Sequence, residues 1–314
     1  MEAVVLENDS IPIRGVYLAP TNWEWRGCDT LIVLSPESKG NILYAFSSDS
    51  FDLFATGGAM GSGPAEYRTP FLAGNGGANN RMIWIGDRQL GWLDRWRLAG
   101  DSLMMEHRTR LGGATGTYDV LYGVEVLSDS VGLIKYDSGE ELTLDLFDFV
   151  QDSVVGHVAM SLRPDPPGGA RMFYDFAMAS RDDLIVLGYM FMNRIEGCRF
   201  SEGRLVPVWQ IGEKVNRPDE WVANGELEKL TIGYTDLRLS DSLIYALYQG
   251  CKTDNIQDMR STVEIYDFEG RGVERWDLGR PISRILIDES RRLLYALGSN
   301  SDVIYRYRWP DRAK

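Results

Sequence analysis

The chain has 314 residues, and its 46 Asp and Glu outnumber 33 Lys and Arg, for a formal net charge of −13 at pH 7. This acid excess argues against a protein that coats nucleic acid, because neutralising phosphates takes clustered Lys and Arg. The hydrophobic fraction of 44% is ordinary for a globular protein and argues against gross disorder.

The sequence predicts no membrane-spanning segment. Its longest nearly apolar stretch, residues 184–192, falls well short of the about 20 residues that cross a bilayer. Residues 1–10 lack the basic start and the long apolar run of a signal peptide. Two locations stay open at this point: the cytoplasm, or export by a signal that this sequence does not carry.

One short apolar strand recurs along the whole chain. Its copies begin at residues 31, 82, 131, 184, 243 and 293. A period of about 50 residues built of strands is typical of β-propellers, in which each blade is a four-stranded sheet. The sequence therefore predicts an all-β fold, a six-bladed β-propeller of four-stranded antiparallel blades, as a single domain over residues 1–314.

The fifth repeat shows the predicted blade most clearly. Alternating apolar residues, punctuated by Gly, Asp and Ser, predict strands over residues 230–240, 243–249, 262–268 and 272–278. The acidic stretch 216–229, which lies just before this blade, is expected to be a loop insertion with at most one helical turn.

The two ends of the chain complement each other. The last repeat has one strand too few, whereas the N-terminus has one strand too many. We expect residues 3–7 to pair as the outer strand of the last blade, and residues 11–18 to open the first blade. Such an N-terminal closure protects sheet edges that would otherwise promote aggregation.

A Gly-rich segment over residues 61–70 carries a resemblance to a known family. It resembles the G-x-G-P-x-E-[FY] signature of the TolB-like six-bladed propeller proteins of Bacteroidetes, and the matching residues are Gly61, Gly63, Pro64, Glu66 and Tyr67. The resemblance implies a six-bladed propeller and a periplasmic or cell-envelope location, and it implies no activity.

The same segment could be mistaken for a phosphate-binding loop. A P-loop needs Gly-Lys-Ser/Thr at the start of a helix, whereas this segment has Pro64 and no Lys. We therefore expect a structural role, in which the glycines form turns and Glu66 caps backbone amides.

Histidine-based chemistry is disfavoured. His107 and His157 fall in predicted fourth strands, without the partners that a catalytic triad or a metal site requires. Both are expected to be structural or surface residues. Asp145 and Asp148 are expected at a turn or a solvated edge, and the three widely spaced cysteines are expected to be unrelated thiols.

Charged residues recur in the predicted first strands, which line the channel of a propeller. They are Arg14, Asp119, Asp175, Asp236 and Arg284. One interpretation is a polar binding site at a channel mouth; the other is mutual salt bridging that merely closes the channel. No cofactor is predicted, although acids from several blades leave a divalent cation in the channel open.

Aromatic residues offer a second set of binding candidates. Aromatic residues of a propeller normally pack between blades; Trp23, Trp25 and Trp221 are the best candidates for exposed exceptions, because their neighbours in the sequence are polar. Trp23 and Trp25 are placed in a long connection after the first strand, and Trp221 in the acidic insertion.

The sequence favours a non-catalytic binding or interaction propeller that holds a peptide, a protein or a glycan at a channel mouth. The alternative is a metal-dependent hydrolase or lyase whose acids, Asp119, Asp175 and Asp236, come from several blades. A subunit of an envelope assembly is a third possibility. Neither a nucleic acid partner nor a membrane span is expected.

Overall fold

The protein was analysed as a computed structural model, which describes residues 3–11, 21–26, 29–36, 40–75, 82–111, 120–137, 142–158, 171–201, 204–212, 221, 223–226, 228, 230–298 and 303–309. The described residues form 27 strands in six sheets, with short 3₁₀ turns at Arg171–Tyr174 and Thr253–Asp258. The fold is a six-bladed β-propeller, as the repeat predicts. The chain divides into two compact units of three blades each.

One unit comprises Pro12–Gly139 and Thr143–Val158 and contains blades 1 to 3. Blade 1 is formed by β3 (Asn22–Arg26), β4 (Thr30–Leu34), β5 (Asn41–Ser47) and β6 (Leu53–Met60), with β7 (Glu66–Tyr67) parallel to β6. Blade 2 is formed by β8 (Pro70–Leu72), β10 (Met82–Asp87), β11 (Trp92–Ala99) and β12 (Ser102–Arg110). Blade 3 is formed by β13 (Val120–Val126), β14 (Val131–Asp137), β15 (Leu142–Asp148) and β16 (Ser153–Val158), with β9 (Gly74–Asn75) parallel to β13.

The other unit comprises Met1–Ile11, Glu140–Leu142 and Ala159–Lys314 and contains blades 4 to 6. Blade 4 is formed by β17 (Phe176–Arg181), β18 (Leu184–Tyr189), β19 (Arg194–Ser201) and β20 (Arg204–Gly212). Blade 5 is formed by β21 (Thr231–Leu239), β22 (Leu243–Lys252), β23 (Thr262–Asp267) and β24 (Gly272–Asp277), with β1 (Val4–Val5) beside β24. Blade 6 is formed by β25 (Ile282–Asp288), β26 (Leu293–Gly298), β27 (Ile304–Arg308) and β2 (Asn8–Ile11).

The recurring apolar strand of the sequence is the second strand of every blade. In blades 1, 4 and 6 every residue of β4, β18 and β26 is buried. A strand with neighbours on both edges and packed sheets on both faces has no solvated side, so its sequence is continuously apolar instead of alternating. This burial explains why the second strands stand out in the sequence, and it confirms the six-fold repeat.

The N-terminal closure is confirmed, but the predicted segment is displaced. The strand that completes blade 6 is β2, which pairs antiparallel with β27, and not residues 3–7. Val4 and Val5 instead pair parallel with Trp276 and Asp277 at the outside of blade 5. Ile11 ends β2 and does not open blade 1, which begins at β3; residues 12–18 lie outside the described part of the chain.

Leu6 sits between the two N-terminal strands and anchors both. Its side chain is 5% exposed and belongs to a core cluster that contains Trp276, Tyr307 and Trp309. Its N–H donates to the carbonyl of Asp277 at 3.3 Å. The segment β1–Leu6–β2, here called the N-terminal clasp, therefore fastens the outer strands of blades 5 and 6 through one buried side chain.

Replacing Leu6 with Ala should destabilise the protein by about 2–4 kcal/mol, because it removes buried methyl groups and leaves a cavity. Chemical denaturation followed by far-UV circular dichroism measures the change. Val5→Ala is the matched control, since Val5 is 74% exposed, and it should change stability by less than about 0.5 kcal/mol. Equal effects of the two substitutions would contradict the anchoring role of Leu6.

Candidate functional site

The five charged residues expected at a channel mouth are only partly described. Arg14 and Asp119 lie outside the described residues. Asp175 is half-buried and immediately precedes β17, and its Oδ1 accepts the N–H of Phe176 at 2.8 Å. Asp236 on β21 and Arg284 on β25 lie on the first strands of blades 5 and 6. The binding role of the set stays a prediction.

Asp236 and Arg284 are brought together, and both bind main chain. Asp236 is 8% exposed, and its Oδ2 accepts the N–H of Ile285 at 2.8 Å. Arg284 Nη1 donates to the carbonyl of Thr235 at 3.0 Å. Arg238 Nε donates to the carbonyl of Ile285 at 2.8 Å. These contacts fasten the first strands of blades 5 and 6, as a structural role requires.

A buried amide extends the same seam between blades 5 and 6. Gln249 Nε2 donates to the carbonyl of Ile282 at 2.8 Å, and the N–H of Ile282 donates to Ser261 Oγ at 2.8 Å. Ser261 Oγ in turn donates to Gln249 Oε1 at 2.5 Å. Both the N–H and the carbonyl of Ile282 are therefore bonded to blade 5. Together with the bonds at Ile285, they tie the innermost strand of blade 6 to blade 5 at two places along its length.

The expected exposure of Trp23 is wrong. Trp23 is 1% exposed and lies in β3, the first strand of blade 1, not in a connection. Trp25 lies in the same strand, and its side chain is outside the described part of the structure. The polar residues between and around these tryptophans mark the opposite face of a strand, because successive side chains alternate between faces.

Trp221 lies in the acidic insertion as predicted. It is half-buried, and its carbonyl accepts the N–H of Glu226 at 2.7 Å in a short helical turn. Of the three aromatic candidates, it is the one whose described side chain retains solvent exposure. Its binding role stays a prediction.

The Gly-rich motif forms a tight turn closed by its own glutamate. Glu66 Oε2 accepts the N–H of Gly63 at 2.6 Å, and the N–H of Gly61 donates to the carbonyl of Tyr67 at 2.9 Å. Gly61 has φ +156°, and a Cβ there would lie 2.0 Å from Glu66 Oε2. The expected capping of a backbone amide by Glu66 is observed.

Tyr67 and Pro64 connect this turn to blade 2. The Tyr67 hydroxyl donates to Asp94 Oδ2, and Trp96 Nε1 donates to that hydroxyl at 2.9 Å. Arg108 Nε donates to Asp94 Oδ1 at 2.6 Å, and Arg108 Nη1 donates to the carbonyl of Pro64. Burial, and then the charge of Asp94, raise the pKa of Tyr67. The motif is therefore joined to blade 2 by a network of hydrogen bonds around the buried Asp94, here called the polar lock.

The pair Asp94 and Arg108 belongs to a pattern that the sequence analysis missed. Asp94 is on the third strand of its blade and Arg108 lies directly opposite on the fourth. Equivalent pairs, each directly opposed in register, are Asp145 with His157 in blade 3, Glu264 with Arg275 in blade 5 and, with the charges exchanged, Arg306 with Asp9 in blade 6. The outer strand is thus held by an acid–base pair as well as by main-chain bonds.

The acids of these pairs differ in their burial and in the other side chains that they bind. Asp145 is 1% exposed and its Oδ1 lies 2.6 Å from Nδ1 of the exposed His157. The expectation of a solvated Asp145 is therefore wrong, whereas both histidines lie on fourth strands as predicted. In blade 5, Glu264 Oε2 accepts the hydroxyls of Tyr234 at 2.8 Å and Tyr266 at 2.6 Å.

Blade 4 neutralises its third-strand acid within the second and third strands. Glu196 is 1% exposed and accepts the Tyr189 hydroxyl at 2.7 Å and Arg194 Nη2 at 2.7 Å. Nearby Cys198 is buried, and burial together with the charge of Glu196 raises the pKa of its thiol to about 12. Glu196 and its two polar partners, Tyr189 and Arg194, are all buried.

Metal-binding and membrane-spanning features were sought in the same part of the chain. Within the described residues, no group of three or more His, Cys, Asp or Glu is placed to hold a metal ion. Asp119 lies outside the described residues. In the described residues no helix is both long and apolar enough to cross a bilayer.

Comparison with known proteins identifies the fold. No family model and no curated protein matches the sequence. A member of the DUF4221 family from Bacteroides vulgatus matches at TM-score 0.68 and 10% identity, over 98% of both chains. A candidate exported protein from Bacteroides fragilis matches at 0.59 and 12%, over 98% of this chain and 96% of that one. The WD40 repeats of RRP9 match at 0.55 and 10%, over 98% and 99%. These identities show a shared fold.

Tyr67→Phe should destabilise the protein by about 1–3 kcal/mol, because it removes a buried hydroxyl that joins Asp94 to Trp96. Urea denaturation measures the loss. Tyr305→Phe is the control, since the Tyr305 ring lies 4.0 Å from the Arg280 guanidinium and Phe keeps that contact. A Tyr67→Phe variant as stable as the control would show that the lock contributes nothing.

Cys198 should resist alkylation in the folded protein. With a thiol pKa of about 12, it stays protonated at pH 9, whereas an exposed thiol with a pKa of about 8.5 is mostly ionised. Burial also raises the pKa of Cys251, but this thiol is only half-buried, so it should be labelled before Cys198. Iodoacetamide labelling of a Cys28→Ser background, followed by peptide mass spectrometry, gives both rates. Faster labelling of Cys198 would contradict its placement.

Proposed function

We propose that this protein is a non-catalytic binding propeller that holds a peptide, a protein or a glycan. One observation carries the proposal: two deeply buried carboxylates of third strands are engaged by other side chains of the protein. Asp94 and Glu196, at most 1% exposed, each accept hydrogen bonds from an arginine and a tyrosine. A general acid or base must reach substrate, and these carboxylates face the interior of their blades.

The enzyme alternative depends on three acids from different blades. Of these, Asp236 already accepts a main-chain N–H and lies 3.4 Å from Arg238 Nη2. Asp175 accepts the N–H of its own neighbour. Asp236 is also 8% exposed and already has a cationic neighbour in Arg238, so a divalent cation would have to displace that arginine. We therefore place binding ahead of hydrolase or lyase chemistry.

The fold is compatible with this proposal. The WD40 repeats of RRP9 share the propeller architecture with this chain. The Gly-rich motif resembles TolB-like propellers, and one similar structure is a candidate exported protein. On these two grounds we propose that the chain belongs to a TolB-like group and lies in the periplasm or the cell envelope. We also propose that residues 1–314 form one domain.

The function is tested by separating binding from turnover. Purified protein is applied to arrays of short peptides and of oligosaccharides, and the strongest probe is then incubated with it and analysed by mass spectrometry. We expect saturable binding and a chemically intact probe. Products exceeding one equivalent of protein would contradict the proposal, as would the absence of saturable binding on both arrays.

Asp236→Asn serves as the matched variant in that experiment. Asn keeps an oxygen that accepts the Ile285 N–H, so the seam between blades 5 and 6 is retained. The variant should therefore bind the probe as the wild type does. A variant that loses binding while its melting temperature is unchanged would show that Asp236 contacts the ligand.

A further inference from the structure

Blade 2 has a charge balance opposite to that of the whole protein. The chain has a net charge of −13, yet residues 66–110 contain seven arginines against five acids and no lysine. Two of the acids, Asp87 and Asp94, have no solvent exposure. Seven arginines less five acids give this segment a formal charge of +2, although the chain as a whole is strongly acidic.

Two of these arginines lie in backbone segments that Asp87 and Thr69 hold together beside the turn between β10 and β11. Asp87 holds this turn, since its carboxylate accepts the N–H groups of Arg68 at 2.6 Å and Leu90 at 2.8 Å. The N–H of Arg88 donates to the carbonyl of Thr69 at 3.0 Å. The side chains of Arg68 and Arg88 are exposed. The buried carboxylate thus fixes the backbone at Arg68, between β7 and β8, and at the β10–β11 turn, where the Arg88 guanidinium lies 5.4 Å from the centroid of the Phe71 ring.

The outer strand of the blade brings two more arginines to the same end. Arg110 is exposed and lies directly opposite Trp92, the first residue after the turn. Arg108 stacks over the Trp92 ring, with its guanidinium carbon 4.0 Å from the ring centroid. Asp94 and the carbonyl of Pro64 accept hydrogen bonds from Arg108, so the guanidinium that stacks on the Trp92 indole is held in place. Among the described residues, Arg110 forms no ion pair.

We propose that this end of blade 2, called the arginine end and formed by Arg68, Arg110 and Trp92, with Arg108 as the support of the indole, binds the carboxylates of an acidic peptide segment. The inference rests on the binding function proposed above and names its site and its ligand class. Guanidinium groups match carboxylates in bidentate geometry. The half-buried Trp92 offers an apolar surface to the aliphatic stems of Glu side chains.

The charge of the rest of the molecule selects against a long polyanion. Screening at physiological salt extends over about 8 Å, so a short segment experiences mainly the arginine end. A nucleic acid or a sulfated glycan would extend beyond it along a protein whose net charge is −13. Like-charge repulsion then opposes binding of the longer chain. A short acidic peptide is the partner that fits both the positive charge of the arginine end and the negative net charge of the whole chain.

The test uses a fluorescein-labelled nonapeptide with five Glu residues, titrated with the full-length protein and followed by fluorescence polarisation. The same peptide with Gln in place of Glu is the neutral probe. We expect the Glu peptide to bind at least tenfold more tightly than the Gln peptide at 50 mM salt, and more weakly at 300 mM. Equal affinities for the two peptides would overturn the proposal.

Two double variants of equal charge locate the site. Arg68→Gln/Arg110→Gln removes two arginines of the arginine end and should weaken binding at least tenfold. Arg97→Gln/Arg204→Gln removes two exposed arginines elsewhere and should weaken it less than twofold. All four positions are exposed, so both variants should fold, which a thermal melt verifies. Equal losses in the two variants would overturn the assignment of the site.

A nine-nucleotide single-stranded DNA and a sulfated heparin oligosaccharide compete for the same probe. We expect each to displace the Glu peptide at least tenfold less effectively than unlabelled peptide does. Displacement as effective as that of the peptide would overturn the choice of ligand class. Binding of an array probe that survives Arg68→Gln/Arg110→Gln would refute this site alone, whereas turnover of a bound probe would refute the proposed function alone.

Discussion

A carboxylate that is buried in the third strand of a blade has to be neutralised, and in this protein the neighbouring outer strand often supplies the partner. Burying an unpaired charge costs several kcal/mol, so each pair ties the outer strand to the rest of its blade. Asp94 with Arg108 is the best-defined example, with a distance of 2.6 Å from Nε to Oδ1. Outer strands are the exposed edges of a propeller, and they are the strands most in need of such a tie.

The chain ends are held differently, because their charge pair is exposed. The outer strand of blade 6 comes from the N-terminus, and its Asp9 lies opposite Arg306 of the third strand, with Arg306 Nε 3.1 Å from Asp9 Oδ1. This pair is exposed, and the Arg306 guanidinium lowers the pKa of Asp9. Exposed pairs contribute little to stability, so here the buried Leu6 supplies what the ion pair lacks. Outer strands are thus held by buried charge pairs in some blades and by an apolar side chain in blade 6.

The fold could be predicted because its strongest signal is burial. Second strands have no solvated side, so segments such as Leu184–Tyr189 are continuously apolar and recur visibly. The clasp was harder to place, because Asn8–Ile11 is polar and buries only its last residue. A strand that pairs along one edge and faces solvent leaves almost no hydrophobic pattern, so the apolar residues 3–7 were favoured instead.

The candidate site was less predictable because side-chain partners depend on register across strands. Nothing near Asp145 in the sequence identifies His157 as its partner, whereas the antiparallel register places them opposite each other. Trp23 was assigned to the surface because its neighbours are polar, although alternation in a strand produces that pattern with the tryptophan buried. The available signal was a single charge flanked by apolar residues in successive third strands.

These observations describe a propeller in which buried charges hold the outer strands of several blades in place. The most direct measurement of that account is a double-mutant cycle on Asp94→Ala and Arg108→Ala, with free energies of unfolding from urea denaturation. If the pair holds the outer strand of blade 2, the coupling energy should exceed about 1.5 kcal/mol. Additive effects, with a coupling energy below about 0.5 kcal/mol, would contradict the structural role of the third-strand acids.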